Sequence, residues 1–449
     1  MAEQRPSQLQ SGEPASRPAG EKFDVIVVGA GPAGLSVAYL LAKAGLKIAV
    51  IERGDFPGSK NVMGGVLYRQ PTEEIFPDFW RTAPLERHVV ETQTWVLTEK
   101  AAFKAALRHE DFNEEPYNSF TVLRARFDKW MAQQVRAAGA LIITETVVES
   151  PLMDGDRVIG VHTGRPDGDL YADVVVAADG VNSLLAQQLG LRKELPPNEA
   201  ALAVKEVIAL PREVIQDRFG LSGNQGATIE LYADASWGMV GTAWIYTNRD
   251  SLSIGVGALI SQLVERQMRP NDLIEHFKEH PMIAPLLEGG EVREFLGHLI
   301  PEGGLHGMPK LYTHGLVVVG DAAGMINSMH REGSNLAMLS GKLAAQAILR
   351  AKEWNDYSAD SLAYYDQLVR DSVIYKDLFK YRKMARFFET HPEFFTFYPD
   401  LLNEACREML TVDGLSKRSK QRKIFWGALR RRMPWRMAWD MFKAWRAIA

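Results

Sequence analysis

The chain is 449 residues long, 46% hydrophobic and 24% charged, enough for two or three domains with sizeable cores. Its single cysteine, Cys406, excludes a disulfide framework, a cysteine-ligated zinc site and any iron–sulfur cluster held by this chain alone. The net charge of −4 is uneven, because residues 414–449 carry 11 Lys and Arg against one Asp, a local +10 that leaves −14 on the rest.

Residues 1–20 mix Gln, Ser, Pro and both charges without an apolar core, and read as a disordered lead, neither signal nor transit peptide. No uncharged apolar run is long enough to span a bilayer. Phe23–Glu52 then reads as strand, tight turn, helix, strand. Asp24–Val28 is an apolar run suited to a buried parallel strand. The turn Gly29-Ala30-Gly31-Pro32-Ala33-Gly34 has the glycine spacing of a dinucleotide-binding loop. Helix N–H groups at its end suit a pyrophosphate. Glu52 closes the second strand, where a carboxylate accepts both hydroxyls of an adenosine ribose. The glycines alone do not separate FAD from NAD.

The segment 54–68, which follows Glu52-Arg53, is a glycine-rich loop that either lays backbone against a flat ring system or simply connects over the surface. A strand falls near Val89–Leu97, and Thr121–Arg124 reads as a strand end before an amphipathic helix, Arg126–Ala138. Leu141–Val148 is the next strand, and Val158–Thr163 pairs with Leu170–Ala178 around Pro166-Asp167-Gly168. Leu202–Ile260 alternates apolar and polar residues as a separate antiparallel sheet does. Helical stretches follow at Ser261–His280 and Met282–Leu287. Leu316–Asp321 returns to the buried-strand type, residues 331–351 form a glycine turn running into a helix of small residues, and 352–412 is helical.

The combination of GAGPAG, Glu52, the ADG of 178–180, the GDAAG of 320–324 and the REGSNLAM of 331–338 resembles the FAD-dependent fold shared by aromatic hydroxylases, geranylgeranyl reductases and electron-transfer-flavoprotein–quinone oxidoreductases. KNVMGG, LRARFDKW and GDAAGMINSMHREGSNLAM are most similar to its FixC-type branch, flavoproteins of a nitrogen-fixation-associated electron-transfer complex. The resemblance spans roughly residues 22–410 and implies an α/β fold. That fold is a Rossmann-type FAD-binding domain of the p-hydroxybenzoate hydroxylase-like kind, with a second antiparallel-sheet (α+β) domain and a helical C-terminal extension. The expected division is a lead (1–20), a discontinuous FAD domain (21–68, 119–195, 305–350), a substrate or quinone domain (69–118, 196–304) and a helical region (351–449) with the basic tail 414–449.

By the same resemblance, Gly320-Asp321 meets the ribityl hydroxyls, and Gly333, Ser334, Asn335 and Leu336 present N–H groups to the flavin pyrimidine edge. Arg124 pairs with phosphate, and Arg53, Gly64, Gly65 and Gly180 lie by the cofactor. Ala186 stands where the hydroxylases have an Arg after the Asp-Gly motif, and Ser328 where they have a Pro, which weakens a monooxygenase reading. The implied reaction takes electrons from an electron-transfer flavoprotein pair (FixA/FixB-like) through FAD to membrane quinone, in an electron-bifurcating complex whose cluster sits in a ferredoxin-like iron–sulfur subunit (FixX-like). A geranylgeranyl reductase-like reduction of isoprenoid double bonds, or a non-catalytic flavin-containing assembly subunit, are the alternatives. Trp237, Met239, Val240, Trp244, Ile245 and Tyr246 fit a quinone route or simply that sheet's core. His330, Arg331 and Glu332 fit proton transfer or a loop ion cluster. No metal site is expected. The tail, in which Trp435, Ala438, Trp439 and Phe442 share a helical face, suits a membrane surface or an acidic partner, with no nucleic-acid fold beside it. The expected location is cytoplasmic, peripheral on the membrane.

Overall fold

The computed structural model describes residues 22–60 and 64–448, so the expected disorder of 1–20 and the middle of KNVMGG lie outside the described residues. Two sheets organise the chain. The first is ordered Tyr312–Thr313, Leu316–Val318, Asp169–Ala177, Phe23–Val28, Ile48–Ile51, Leu141–Ile143, parallel apart from its first pair. Val25, Ile26 and Val27 have no exposed surface, because neighbours pair on both sides and the strand lies inside the larger hydrophobic core. The hairpin Val148–Asp154/Arg157–Thr163 extends from the Asp169–Ala177 strand.

Helix Pro32–Lys43 packs against helix Ser334–Trp354, whose buried Ala337, Gly341, Ala344 and Ala345 let the two backbones approach. A Cβ on Gly341 would lie 2.5 Å from the Ala33 carbonyl, which is why this helix is written in small residues.

The second sheet runs Glu291–Pro301, Ala200–Ala209, Ser251–Leu259, Gly241–Thr247, Gln225–Ala233, Leu85–Thr98, Ser119–Leu123, Gly64–Tyr68. It is antiparallel except where Gln225–Ala233 meets Leu85–Thr98. Two strands assigned to the FAD domain by sequence, Gly64–Tyr68 and Ser119–Leu123, pair here instead. The loop expected over 54–68 therefore ends in a strand that holds Gly64 and Gly65 opposite Leu123 and Val122.

Helix Arg124–Ala137 begins two residues earlier than expected. The strand expected over Leu141–Val148 stops at Ile143, because Glu145 is left-handed (φ 53°) and its backbone bonds turn to the Glu52–Gly54 loop. Ser261–His280 splits into Ile260–Glu265 and Pro270–Glu279, since Gln267 is left-handed and Pro270 starts a new helix.

The remaining helices follow in order, and the last, Pro434–Ile448, folds back so that Ala444 and Ala447 rest on Met384 and Phe387. Among the described residues no helix is long and apolar enough to cross a membrane.

Candidate functional site

The glycine turn sits at the carboxyl end of the first sheet, the end at which open parallel sheets bind ligands. Gly29 has φ 103°, and a Cβ there would meet the Ala178 carbonyl at 2.3 Å, so strand Asp169–Ala177 closes over it. Gly31 is the reverse case: a Cβ would meet nothing within 4 Å, so its face is open to an incoming group. Helix Pro32–Lys43 starts with no side-chain cap and no acid in its first turn, leaving its N–H groups and positive dipole end for an anion. Glu52 Oε2 accepts from Ala30 N at 2.9 Å and Oε1 from Gly54 N at 2.8 Å. These bonds hold the carboxylate beside the turn.

Asp321 lies in the turn Gly320–Ala323, just beyond strand Leu316–Val318. Burial pushes its carboxyl up, and Arg124, Lys205 and Arg192 oppose that shift. Arg124 spends Nε and NH2 on Asp128, at 2.7 and 2.8 Å, and donates its remaining NH1 to Ser334 Oγ at 3.2 Å. It thus joins the Asp321 side of the site to the start of helix Ser334–Trp354. Ser183 Oγ donates to the Ala322 carbonyl at 3.0 Å, while Ala186 is fully buried. Where Ala186 stands for the arginine of the hydroxylases, Arg192 reaches the same turn: its NH1 donates to the Asp321 and Ala322 carbonyls at 3.2 and 2.9 Å. No motif spacing marks Arg192 in the sequence.

Lys205 and His298 also escaped the sequence reading. Ala201, Ala203 and Lys205 alternate along one face of their strand. Trp244 and Lys205 both pair with Gly255, which brings the ammonium 5.9 Å from the Trp244 ring. A Cβ on Gly255 would lie 2.1 Å from that ring, so the glycine lets the indole lie flat on the sheet. This face meets Arg124 and Asp321: burial and Arg124 lower the Lys205 pKa to about 8. Burial, Lys205, Arg124 and Arg53 lower that of His298 to about 4. In sequence both residues are simply members of an alternating strand.

An apolar cavity of about 420 Å³ lies between this sheet face, the turn Ile326–Arg331 and the helices of the C-terminal region. The expected quinone-route residues divide. Val240 and Trp244 line the cavity, Met239 and Ile245 are fully buried in the sheet's own core, and Tyr246 is buried beside Trp244. Trp237 is 38% exposed and packs on His276, away from the cavity. Arg331, left-handed at φ 54°, lines the cavity and pairs with Glu230 and the Tyr232 hydroxyl. His330 Nε2 lies 2.8 Å from the Tyr381 hydroxyl, and Glu332 exchanges backbone bonds with Asn327. The three are neighbours in the chain but face different partners.

The residues present fit FAD: an open face at Gly31, an uncapped helix start, the Glu52 carboxylate, and a buried Asp321 near three cations stand at the carboxyl end of the first sheet. An FAD binding domain model matches residues 22–217, and an ETF-QO/FixC family C-terminal domain model matches 384–449. A Thermoplasma acidophilum protein described as geranylgeranyl bacteriochlorophyll reductase-like has the same fold, with TM-score 0.71 at 21% identity over 92% of this chain and 98% of that one. "Probable electron transfer flavoprotein-quinone oxidoreductase YdiS" of Escherichia coli is 40% identical over 396 residues, 88% of this chain and 92% of its own. The class is therefore an FAD-dependent oxidoreductase of electron-transfer-flavoprotein-linked electron transfer. Protein FixC of Bradyrhizobium diazoefficiens is 46% identical over 405 residues, 90% of this chain and 93% of its own. That of Azotobacter vinelandii is 45% identical over 430 residues, 95% and 99%. The chain belongs to the FixC family.

Proposed function

We propose that the protein accepts electrons from an electron-transfer flavoprotein pair (FixA/FixB-like) on FAD and passes them to membrane quinone. In this reading it is the high-potential branch of an electron-bifurcating complex serving nitrogen fixation. The observation that carries the quinone assignment is the apolar cavity bounded by Trp244, Val240, Ile300 and the turn Ile326–Arg331. A quinone head needs a flat, mostly apolar slot with few polar groups at its inner end. Gly29–Gly34, Glu52 and Arg53 hold the adenine-nucleotide half of FAD, with Gly64, Gly65 and Gly180 beside it. Gly320-Asp321 holds the ribityl chain, and Gly333–Leu336 the pyrimidine edge. FAD supplies the electron-carrying chemistry. The chain's own part is to orient it and set its field, with Arg124, Arg192 and Lys205 around Asp321 as the cations that favour negative charge on a reduced flavin.

With one cysteine, the chain needs a separate ferredoxin-like iron–sulfur subunit (FixX-like) if a cluster takes part. Peripheral membrane contact at the cytoplasmic face is supported by the tail. Its one acid, Asp440, is buried and held by Arg432 and the Tyr398 hydroxyl, so the exposed charges of 434–448 are basic. Trp435, Trp439, Phe442 and Trp445 stand exposed among Arg436 and Arg446, the mixture that seats a helix in an anionic interface.

The deciding experiment is anaerobic. The purified protein is reduced at its flavin, then mixed with a quinone analogue or an isoprenoid alkene, and flavin absorbance is followed. Rapid reoxidation by the quinone is the expected result. Reoxidation by the alkene alone would favour double-bond reduction, and by neither would leave a flavin with an assembly role.

A further inference from the structure

Two cavities meet at one acid. The apolar cavity of about 420 Å³ and a cleft of about 850 Å³ between Met384–Thr390 and the final helix share three wall residues, Asn198, Glu302 and Ala385, of which Glu302 alone is ionisable. The cleft carries charged groups on its walls, His306, Arg386, Lys443 and Arg446 among them, and it is open to water. Glu302 follows the last residue of strand Glu291–Pro301, and its backbone N–H is anchored on the Glu199 carbonyl at 2.8 Å. Its carboxyl therefore stands at the waist between aqueous cleft and apolar slot. We infer that Glu302 is the proton-transfer residue that carries protons from the cleft to a quinone bound in the apolar cavity. The inference rests on the quinone reading above.

The chemistry requires such a group. Reoxidation of an anionic reduced flavin releases two electrons and one proton, whereas a quinone takes up two electrons and two protons to become the hydroquinone. One proton must enter from outside. Glu302 gives its carboxyl proton to a quinone oxygen and takes another from water in the cleft, returning to its starting state. Burial pushes the carboxyl up to about 7 against a hydrogen bond from Ser328, so both forms are present near neutrality, as a relay needs. The groups facing it are Glu199 on the segment before its partner strand, His306 beyond it, and Arg382, Lys383 and Arg386 on the cleft's helices. Across the apolar cavity stand Arg331, Tyr232 and Tyr381. The expected group His330, Arg331 and Glu332 is less suited, because Arg331 cannot release a proton at neutral pH and neither His330 nor Glu332 is on the cavity wall.

The test compares wild type, Glu302→Gln and Glu302→Asp, each checked for bound FAD, in anaerobic stopped flow. Decylubiquinone serves as the proton-requiring acceptor and ferricenium as an acceptor of electrons without protons. Glu302→Gln should slow reoxidation by decylubiquinone on the order of a hundredfold while ferricenium still reoxidises it. Glu302→Asp should retain part of the rate. In wild type the quinone rate should fall as pH rises through about 7, and the Gln variant should lose that inflection. The infrared C=O stretch of a protonated carboxyl should titrate over the same range and vanish in the Gln variant. A Gln variant with the wild-type quinone rate and pH profile overturns the relay while leaving the quinone reading intact. Wild type that no quinone reoxidises overturns both.

Discussion

Arg124 separates what holds the fold from what holds the cofactor, and the two can be measured apart. Asp128 has no exposed surface, and both its oxygens are taken by Arg124. Arg124→Met leaves that carboxylate buried without its cation, a loss of about 3–5 kcal/mol. With a urea m-value of roughly 2–3 kcal/mol/M, the unfolding midpoint should fall by about 1–2.5 M. Arg124→Met/Asp128→Leu removes both charges, and apolar replacement of a buried pair is often neutral or better, so the midpoint should return to within roughly 0.5 M of wild type. FAD affinity, read by recovery of flavin fluorescence on dilution, should behave differently. Arg124 also faces Asp321 and Ser334, so the double variant should regain stability and still bind FAD weakly. Full recovery of both would refute a cofactor role for Arg124 and leave it a helix ion pair. A single variant as stable as wild type would refute the buried-pair argument itself.

The glycine turn makes a second paired prediction. Gly34→Ala places a Cβ 2.1 Å from the Gly29 carbonyl and should lower the thermal midpoint, whereas Gly31→Ala enters open space and should leave the midpoint unchanged while FAD content after purification falls. Equal effects on both readouts would count against the assignment. Lys205, with its pKa lowered to about 8, costs the folded apoprotein stability at neutral pH. Because the unfolded chain binds more protons between about 8 and 10.5, this group should make stability rise with pH across that window. Lys205→Met should remove the slope and stabilise the apoprotein at pH 7 by ~3 kcal/mol, and a flat wild-type profile would contradict the burial. For the tail, replacing Trp435, Trp439 and Trp445 by Ser should reduce co-sedimentation with anionic vesicles at least about tenfold, and added salt should weaken wild-type binding; indifference to both would favour docking on a protein.

The legible parts of this molecule are those where one short stretch contains its own physical reason. Phe23–Glu52 announces strand, turn and helix because the close approaches at Gly29 and Gly34 forbid any larger residue, and the run Val174–Ala177 announces a strand with neighbours on both sides. What stayed hidden depends on register between distant strands. Lys205 comes to face Asp321 only because its strand pairs Ala203 with Gly257 and Lys205 with Gly255, and nothing local distinguishes it from the solvent-facing lysine an alternating pattern also allows. Arg192 escaped for a related reason: it reaches the turn from a loop, donating to the Asp321 and Ala322 carbonyls, and a loop cation has no spacing that marks it. Residues 64–68 and 119–123, expected in the FAD domain, form strands of the second sheet, and a crossover carries no local mark of which sheet receives it. Glu302 is the extreme case. Its environment is made by strand Glu291–Pro301, by Ser328 in the turn after Asp321, and by helices beyond residue 380. These pieces are far apart in the chain, so an acid at the junction of water and an apolar slot exists only once the C-terminal helices have folded back. The proton-transfer candidates that local sequence offers, His330 to Glu332, are adjacent in the chain and turn to separate partners. The acid that spans the two cavities has no motif at all. The inferred proton path, unlike the glycine turn, therefore depends on packing between segments far apart in the chain.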